Sequence, residues 1–357
     1  MKTMRAARMH GYKQPLQLDE VPVPDPGPDE LLIKVEACGM CRSDYQLVDG
    51  YFEHGFPMGF PFIPGHEVAG RIAGFGADVP QSAGLSEGDM VVVESSWGDG
   101  ICRQCHEGNE QLCTGDGRWI GFGSTQGGFA EYTTAPYRHV VRVDADRKAE
   151  ILAPLTDAGL TPYRGMKKLR DAGKLGAGRT VAVTGIGGLG SYGVQYAKLL
   201  GGGATVVAFG RSDDKLASAA EHGADHTINT RGKTADQVKA ELQQLTGRDG
   251  IDAHLDCAAS PESIALAAAL MAAEGALVTV GMMGDRVELP LFPFIAKERT
   301  YSGSFWGNHN DLVEVLALEG AGKLHHIVTP VKFEEINEKL DALGRGDVIG
   351  RQVLVWN

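Results

Sequence analysis

Residues 180–184 read Thr-Val-Ala-Val-Thr and run straight into Gly185-Ile186-Gly187-Gly188-Leu189-Gly190. A short β-branched run that ends in GxGxxG and opens a helical pattern predicts a strand, a tight turn and a helix from Leu189 to Leu200. Each glycine has a job in that turn. The first makes the bend, the second lets backbone approach a pyrophosphate, and the third lets the helix pack closely on the strand. The helix N-terminus then attracts the anion. Gly185, Gly187, Gly188, Leu189 and Gly190 are therefore candidate cofactor-binding residues. Downstream, Ala204–Phe209 predicts a strand and Asp213–His222 a helix. Ile251–Asp256 and Ala276–Val280 predict two more strands with a helix between them. That alternation specifies an α/β unit with a parallel, doubly wound sheet.

The end of the second strand bears on which nicotinamide cofactor fits. An NAD site places an acid about 20 residues after the glycines, where it bonds the ribose hydroxyls. Here that place is Gly210, followed by Arg211 and Ser212. A small residue followed by a guanidinium suits a 2′-phosphate, because arginine offers a planar fork of donors. The reading favours NADP over NAD. The alternative leaves Arg211 solvated and lets Asp213 or Asp214 reach the ribose.

The first 150 residues have another texture. Short apolar runs, Leu31–Glu36, Glu67–Ile72 and Met90–Glu94, lie between proline and glycine turns and read as an all-β region. Pro22, Pro24, Pro26 and Pro28 stiffen an extended approach to it. Beyond about residue 305 come one more helix, a strand at Pro330–Phe333 and a terminal strand at Arg351–Val355, expected to return to the first region. A chain of 357 residues, 43% hydrophobic and 22% charged, has the size and profile of a two-domain soluble protein. The formal net charge of −12 disfavours nucleic acid and anionic membranes as partners. The most apolar stretch, Ser263–Met283, is interrupted by Glu274 and Gly275 and reads as a buried helix followed by a strand. No export signal is visible, so the cytoplasm is expected, where cysteines serve more often as metal ligands than as disulfides.

Asp99, Cys102, Cys105 and Cys113 have the spacing of a metal knuckle in which an aspartate stands at one corner. Two thiolates with one pair of residues between them grip a tetrahedral zinc, and two more donors close the shell. Cys41-Arg42-Ser43-Asp44 and Gly65-His66-Glu67 form a second candidate constellation, Cys41 paired with a histidine that has a carboxylate neighbour. Asp157, in Pro154-Leu-Thr-Asp-Ala-Gly-Leu-Thr161, reads by itself as a loop or helix-cap aspartate. His10, His54, His139, His325, His326, Cys38 and Cys257 read as packing residues.

Taken together, these segments and their order resemble the zinc-dependent medium-chain alcohol dehydrogenases over essentially the whole chain. The aspartate at 157 is similar to that of bacterial secondary-alcohol dehydrogenases. The resemblance implies a mainly β, GroES-like catalytic domain over 1–158 and 305–357 and a Rossmann dinucleotide-binding domain over 159–304. It implies that Cys41, His66 and Asp157 ligate a catalytic zinc, with Glu67 behind the metal and able to exchange with a ligand. Asp99, Cys102, Cys105 and Cys113 would hold a structural zinc, giving two zinc ions per chain. One thiolate, one carboxylate and a neutral imidazole balance the metal charge as two thiolates and an imidazole would. Ser43 would begin a proton relay, Asp44 would support His66, and Arg42 and Thr161 would contact the cofactor. Trp97, Phe294 and Trp306 fall in segments that line the substrate pocket of similar enzymes, and favour apolar alcohols, aldehydes or ketones. The implied activity is reversible hydride transfer between NAD(P)(H) and a primary or secondary alcohol, in a homodimer or homotetramer. Two alternatives are a zinc-free quinone or enoyl reductase on the same fold and a non-catalytic binding protein.

Overall fold

The computed structural model describes residues 2–55, 58–123 and 125–356. The chain divides into two compact units. The first comprises Met1–Ala158, Gly307–Ala321 and His326–Asn357, and the second Gly159–Trp306 with Gly322–His325.

The first unit is built on a seven-stranded sheet. Its main path runs Val328–Val331, Arg351–Val355, Glu30–Met40, Glu67–Phe75, Met90–Val93 and Val140–Arg142, with Tyr132–Pro136 also paired to Glu30–Met40. Glu30–Met40 begins with the alternation of a half-buried strand: Leu31, Ile33 and Val35 are buried while Lys34 faces solvent. From Ala37 onward the pattern changes, and Cys38, Gly39 and Met40 are all buried. Gly39 pairs with Glu67 on the next strand. A Cβ at Gly39 would stand 1.7 Å from Glu67 Oε2, so only glycine leaves room for that carboxylate.

The sequence reads as all-β over residues 1–150, but the region also contains helices. A helix, Arg42–Val48, starts as soon as the Glu30–Met40 strand ends. Asp44 holds that start in place, its Oδ2 accepting from the Cys41 N–H at 2.7 Å. Near the C-terminus a second unexpected helix, Ile336–Arg345, buries Ile336, Leu340 and Leu343 on one stripe and ends at Gly346 with φ +80°.

The second unit carries a six-stranded sheet whose strands are all parallel. The order is His226–Asn229, Thr205–Gly210, Thr180–Thr184, Ile251–Asp256, Met271–Thr279, Thr300–Gly303. The strand order reverses between Thr180–Thr184 and Ile251–Asp256, and the glycine turn lies at the C-terminal end of the first of these. Open α/β sheets bind ligands at such a switch point. Ala182, Val207, Phe209, Ile228, Val238 and Leu242 form one core cluster of this unit. The apolar stretch after Ser263 resolves into helix Pro261–Leu270 and strand Met271–Thr279. Among the described residues, no helix is long and apolar enough to cross a membrane.

Candidate active site and metal centres

Cys41, His66 and Asp157 are buried together, each offering a ligand atom within 4.8 Å of the others. They arrive from three places: the cap of helix Arg42–Val48, the residue before strand Glu67–Phe75, and the residue closing the turn Ala153–Thr156. The Asp44 carboxylate joins the first two. While Oδ2 accepts from Cys41 N–H, Oδ1 lies 3.2 Å from His66 Nδ1. That contact turns His66 Nε2 toward Asp157 Oδ2, 3.4 Å away. A soft thiolate, an imidazole with its second nitrogen engaged and a carboxylate suit zinc, and three protein donors leave a fourth position open.

Behind this group, Arg351 lies almost fully buried. Its Nη2 donates to Asp157 Oδ2 at 2.8 Å and its Nε to Glu67 Oε2 at 2.9 Å, and Nη2 also meets Glu67 Oε1. Glu67 Oε1 accepts from the Ala158 N–H at 3.0 Å as well. Burial pushes the Glu67 carboxyl up to about 7, against the pull of the Arg351 guanidinium. Burial opposes the charge on Arg351 too, yet Cys41, Glu67 and Asp157 hold its pKa well above the usual value. For His66, burial favours the neutral ring, and the Asp44 and Asp157 carboxylates overturn that preference.

The second donor group is Asp99, Cys102, Cys105 and Cys113, again within 4.8 Å of one another. Asp99 Oδ1 accepts from the backbone N–H groups of Ile101 and Cys102, at 2.9 and 3.1 Å. This turn presents the carboxylate to Cys105 Sγ, 3.3 Å away. Backbone N–H groups of Thr114 and Cys105 lower the Cys102 thiol to about 6, which favours the thiolate a metal needs. A Cβ at Gly115 would fall 2.0 Å from Asp99 Oδ2, so the lobe closes only around glycine there.

In the second unit, Gly185 has φ +86°, and a Cβ on it would touch Ala258 at 2.9 Å. A Cβ on Gly190 would lie 2.1 Å from the Gly185 carbonyl oxygen, whereas one on Gly187 would meet nothing within 4 Å. The turn is therefore closed on two sides and open at Gly187, the residue that caps helix Gly188–Leu200. A pyrophosphate fits that opening.

Comparison with known proteins identifies two family matches along the chain. Residues 27–145 match the alcohol dehydrogenase GroES-like domain family, and residues 188–319 match the zinc-binding dehydrogenase family. A Sulfurisphaera tokodaii protein named NAD-dependent alcohol dehydrogenase is 35% identical over 99% of this chain and 100% of its own length. The chain belongs to the zinc-containing medium-chain alcohol dehydrogenase family. A Saccharolobus solfataricus relative named D-arabinose 1-dehydrogenase (NADP(+)) is 34% identical over 99% of this dehydrogenase and 98% of its own length. The crystal structure of the Aeropyrum pernix alcohol dehydrogenase superposes with a TM-score of 0.90 at 33% identity, covering 99% of this chain and 100% of that one. This protein is accordingly a zinc-dependent alcohol dehydrogenase or carbonyl reductase using NAD(P).

Other expected site residues of the dehydrogenase are placed as follows. Ser43 is buried on the first helical turn after Cys41. Arg42 Nη1 donates to the Leu343 carbonyl at 2.9 Å. Thr161 is buried in helix Leu160–Asp171. Gly210 ends its strand, Arg211 is exposed and Ser212 caps the next helix. Trp97 packs face to face near His139 and donates its Nε1–H to the Glu94 carbonyl at 2.7 Å. Phe294 packs against the Ala259, Ile264 and Ala267 cluster, and Trp306 against Phe305. Each of these three aromatics has packing partners within its own unit.

Three features escaped the sequence. Arg351 is one. Phe122 is another: its ring lies 5.2 Å from the His66 ring and meets Phe52 edge-on at 5.7 Å, giving the metal group an aromatic wall. His139, expected to be simple packing, is instead held between two carboxylates, with Nδ1 3.0 Å from Glu94 and Nε2 3.2 Å from Glu110. The other Glu94 oxygen lies 2.5 Å from His309 Nδ1. No local pattern marks any of these, because each partner is distant in sequence.

Proposed function

We propose that this dehydrogenase interconverts apolar primary or secondary alcohols with their aldehydes or ketones, preferring NADP(H), and that Cys41, His66 and Asp157 form its catalytic centre. The observation that carries the reading is the convergence of those three buried donors, with Asp44 setting the His66 tautomer. A zinc ion bound there supplies Lewis acidity toward the substrate oxygen, and a bound nicotinamide gives or takes the hydride. Ser43 stands two residues from Cys41 and passes the hydroxyl proton onward. Phe122 and Phe52 exclude water and select apolar substituents. Glu67, paired with Arg351, stands behind the donors as a reserve carboxylate. Asp99, Cys102, Cys105 and Cys113 hold a structural zinc.

Unit 159–306 receives the cofactor at Gly185–Gly190, with Thr161 as a further contact. Two observations support NADP. Gly210 offers no carboxylate to a ribose, and the nearby Asp213 is engaged by Asn229 Nδ2 at 2.6 Å, leaving exposed Arg211 and half-buried Ser212 to meet a 2′-phosphate. A homo-oligomer is supported by the helix Leu291–Ala296, whose Leu291, Phe292 and Ile295 are 76%, 78% and 73% exposed. The placement of four of the six cysteines in metal-donor groups suits a reducing, cytoplasmic setting.

A panel of primary alcohols, secondary alcohols, aldehydes and ketones, run with both cofactors beside zinc quantification, tests the proposal. Two zinc per chain and turnover of apolar substrates with NADP(H) are expected. Zinc-independent turnover, or a strong NADH preference, overturns the corresponding part.

A further inference from the structure

Ser95 has no role in the dehydrogenase as read so far, yet it touches two of the ligand-bearing segments. It lies two residues beyond strand Met90–Val93 and is 2% exposed. Its Oγ is 2.8 Å from the His66 carbonyl oxygen and 3.1 Å from that of Thr156, the residue before Asp157. We propose that Ser95 is a positioning residue for the catalytic group, its hydroxyl setting the spacing between the backbones that carry His66 and Asp157. The inference rests on the reading that Cys41, His66 and Asp157 hold the metal.

The ligand side chains have other partners, but those partners only aim them. Asp44 fixes the His66 ring, and Arg351 engages the Asp157 carboxylate. The Ala158 N–H also reaches Glu67 Oε1, joining the segments through a side chain, whereas Ser95 meets a main-chain carbonyl on each of them. His66 follows Gly65, at φ +96°, and precedes its strand; Asp157 closes a 3₁₀ turn with φ −137° and ψ −65°. Its own N–H reaches the Pro154 carbonyl at 3.4 Å, a long contact. Both ligands therefore sit at the margins of regular structure.

Ser95 is a firm post for the task. Its carbonyl accepts from Ile120 N–H at 3.2 Å, and the preceding Glu94 N–H donates to the His139 carbonyl at 2.9 Å. The hydroxyl has one proton, so it donates more strongly to the nearer His66 carbonyl and shares the remainder with Thr156. Partners one step removed from a metal commonly change its affinity 10- to 100-fold.

Thr and Val have nearly the same shape and differ in the hydroxyl, so Ser95→Thr and Ser95→Val make the decisive pair. Zinc release from the intact protein into a chelator is followed, and Asp157→Ala identifies the catalytic phase as the one it removes. Ser95→Val is expected to release that zinc about tenfold faster than Ser95→Thr. The visible bands of the cobalt-substituted protein should shift in Val and not in Thr. Equal release rates and equal cobalt spectra overturn the proposal. Should the Val variant fail to fold by circular dichroism, Ser95→Ala against the parent protein gives the same comparison. If Asp157→Ala removes no phase, the metal assignment itself fails, and with it the basis for Ser95.

Discussion

Arg351 Nη2 lies 2.8 Å from Asp157 Oδ2, in a core where both side chains are almost fully buried. The same guanidinium spans Glu67, so one cation serves two carboxylates. Removing it leaves buried charge without a partner. Arg351→Met should lower stability to denaturant by about 3–5 kcal/mol. Adding Glu67→Gln should restore part of that loss, which a double-mutant cycle measures. Arg351→Lys should fall between, since a single ammonium cannot reproduce the fork.

Asp157 has a carboxylate where a thiolate would serve equally well for charge. Asp157→Ala should reduce zinc from two to one per chain and abolish turnover, with the secondary structure unchanged by circular dichroism. Asp157→Cys should keep the second zinc. Retained turnover in the Ala variant would remove Asp157 from the catalytic centre.

The Asp99 corner should behave separately. Asp99→Ala should lose the other zinc and expose the Cys102–Cys113 loop to protease, and Asp99→Cys should hold that zinc more firmly against a chelator. Zinc counting and limited proteolysis read both outcomes.

The glycine turn permits a sharper distinction. Gly187→Ala meets no neighbour within 4 Å, so the fold should survive while KM for the cofactor rises. Gly190→Ala puts a Cβ 2.1 Å from the Gly185 carbonyl and should destabilise the unit itself. Arg211→Gln should weaken NADPH about tenfold or more and leave NADH nearly unchanged, as expected for one charge-assisted contact. Steady-state KM values with both cofactors and thermal melts decide these.

The Glu94–His309 contact makes a pH prediction. The hydrogen bond to Glu94 raises the folded-state pKa of His309. Burial alone would raise Glu94, but His139 and His309 bring it below its ordinary value. Stabilisation from His309 is therefore complete below its unfolded pKa near 6.5 and is lost as pH climbs through the raised folded value. The Glu94 contribution is lost at the opposite end, as pH falls through its lowered value. The melting temperature of His309→Gln should trail the parent most below about pH 6.5 and converge with it at higher pH. A constant gap across that range would refute the link.

What could be read from residues alone follows the range of the interactions. Gly185–Gly190 and Asp99–Cys113 are local patterns, so their geometry was legible, and strands 180–184 and 251–256 carried enough apolar residues to be seen. The edge strands His226–Asn229 and Thr300–Gly303 were not, because partly exposed edges carry polar residues such as His226, Asn229 and Ser302. Helix Ile336–Arg345 carries a signal of its own, the Ile336, Leu340, Leu343 spacing before Gly346. Arg351, Ser95 and Phe122 had none: Arg351 lies 284 residues from Glu67 in sequence. The indole N–H of Trp97 is directed at the Glu94 carbonyl, a contact that only the fold shows.

The separation of Arg351 from Asp157, 194 residues, has a consequence for how the protein is made. Ribosomes add about 5–20 residues per second, and chains tend to fold from the N-terminal side. A growing chain therefore holds Glu67 and Asp157 for about 10 to 40 seconds before their cation emerges. Throughout that interval the whole nucleotide-binding segment is being translated. Until then the two carboxylates have no buried cation, so the first unit cannot close around them before strand Arg351–Val355 pairs with Glu30–Met40.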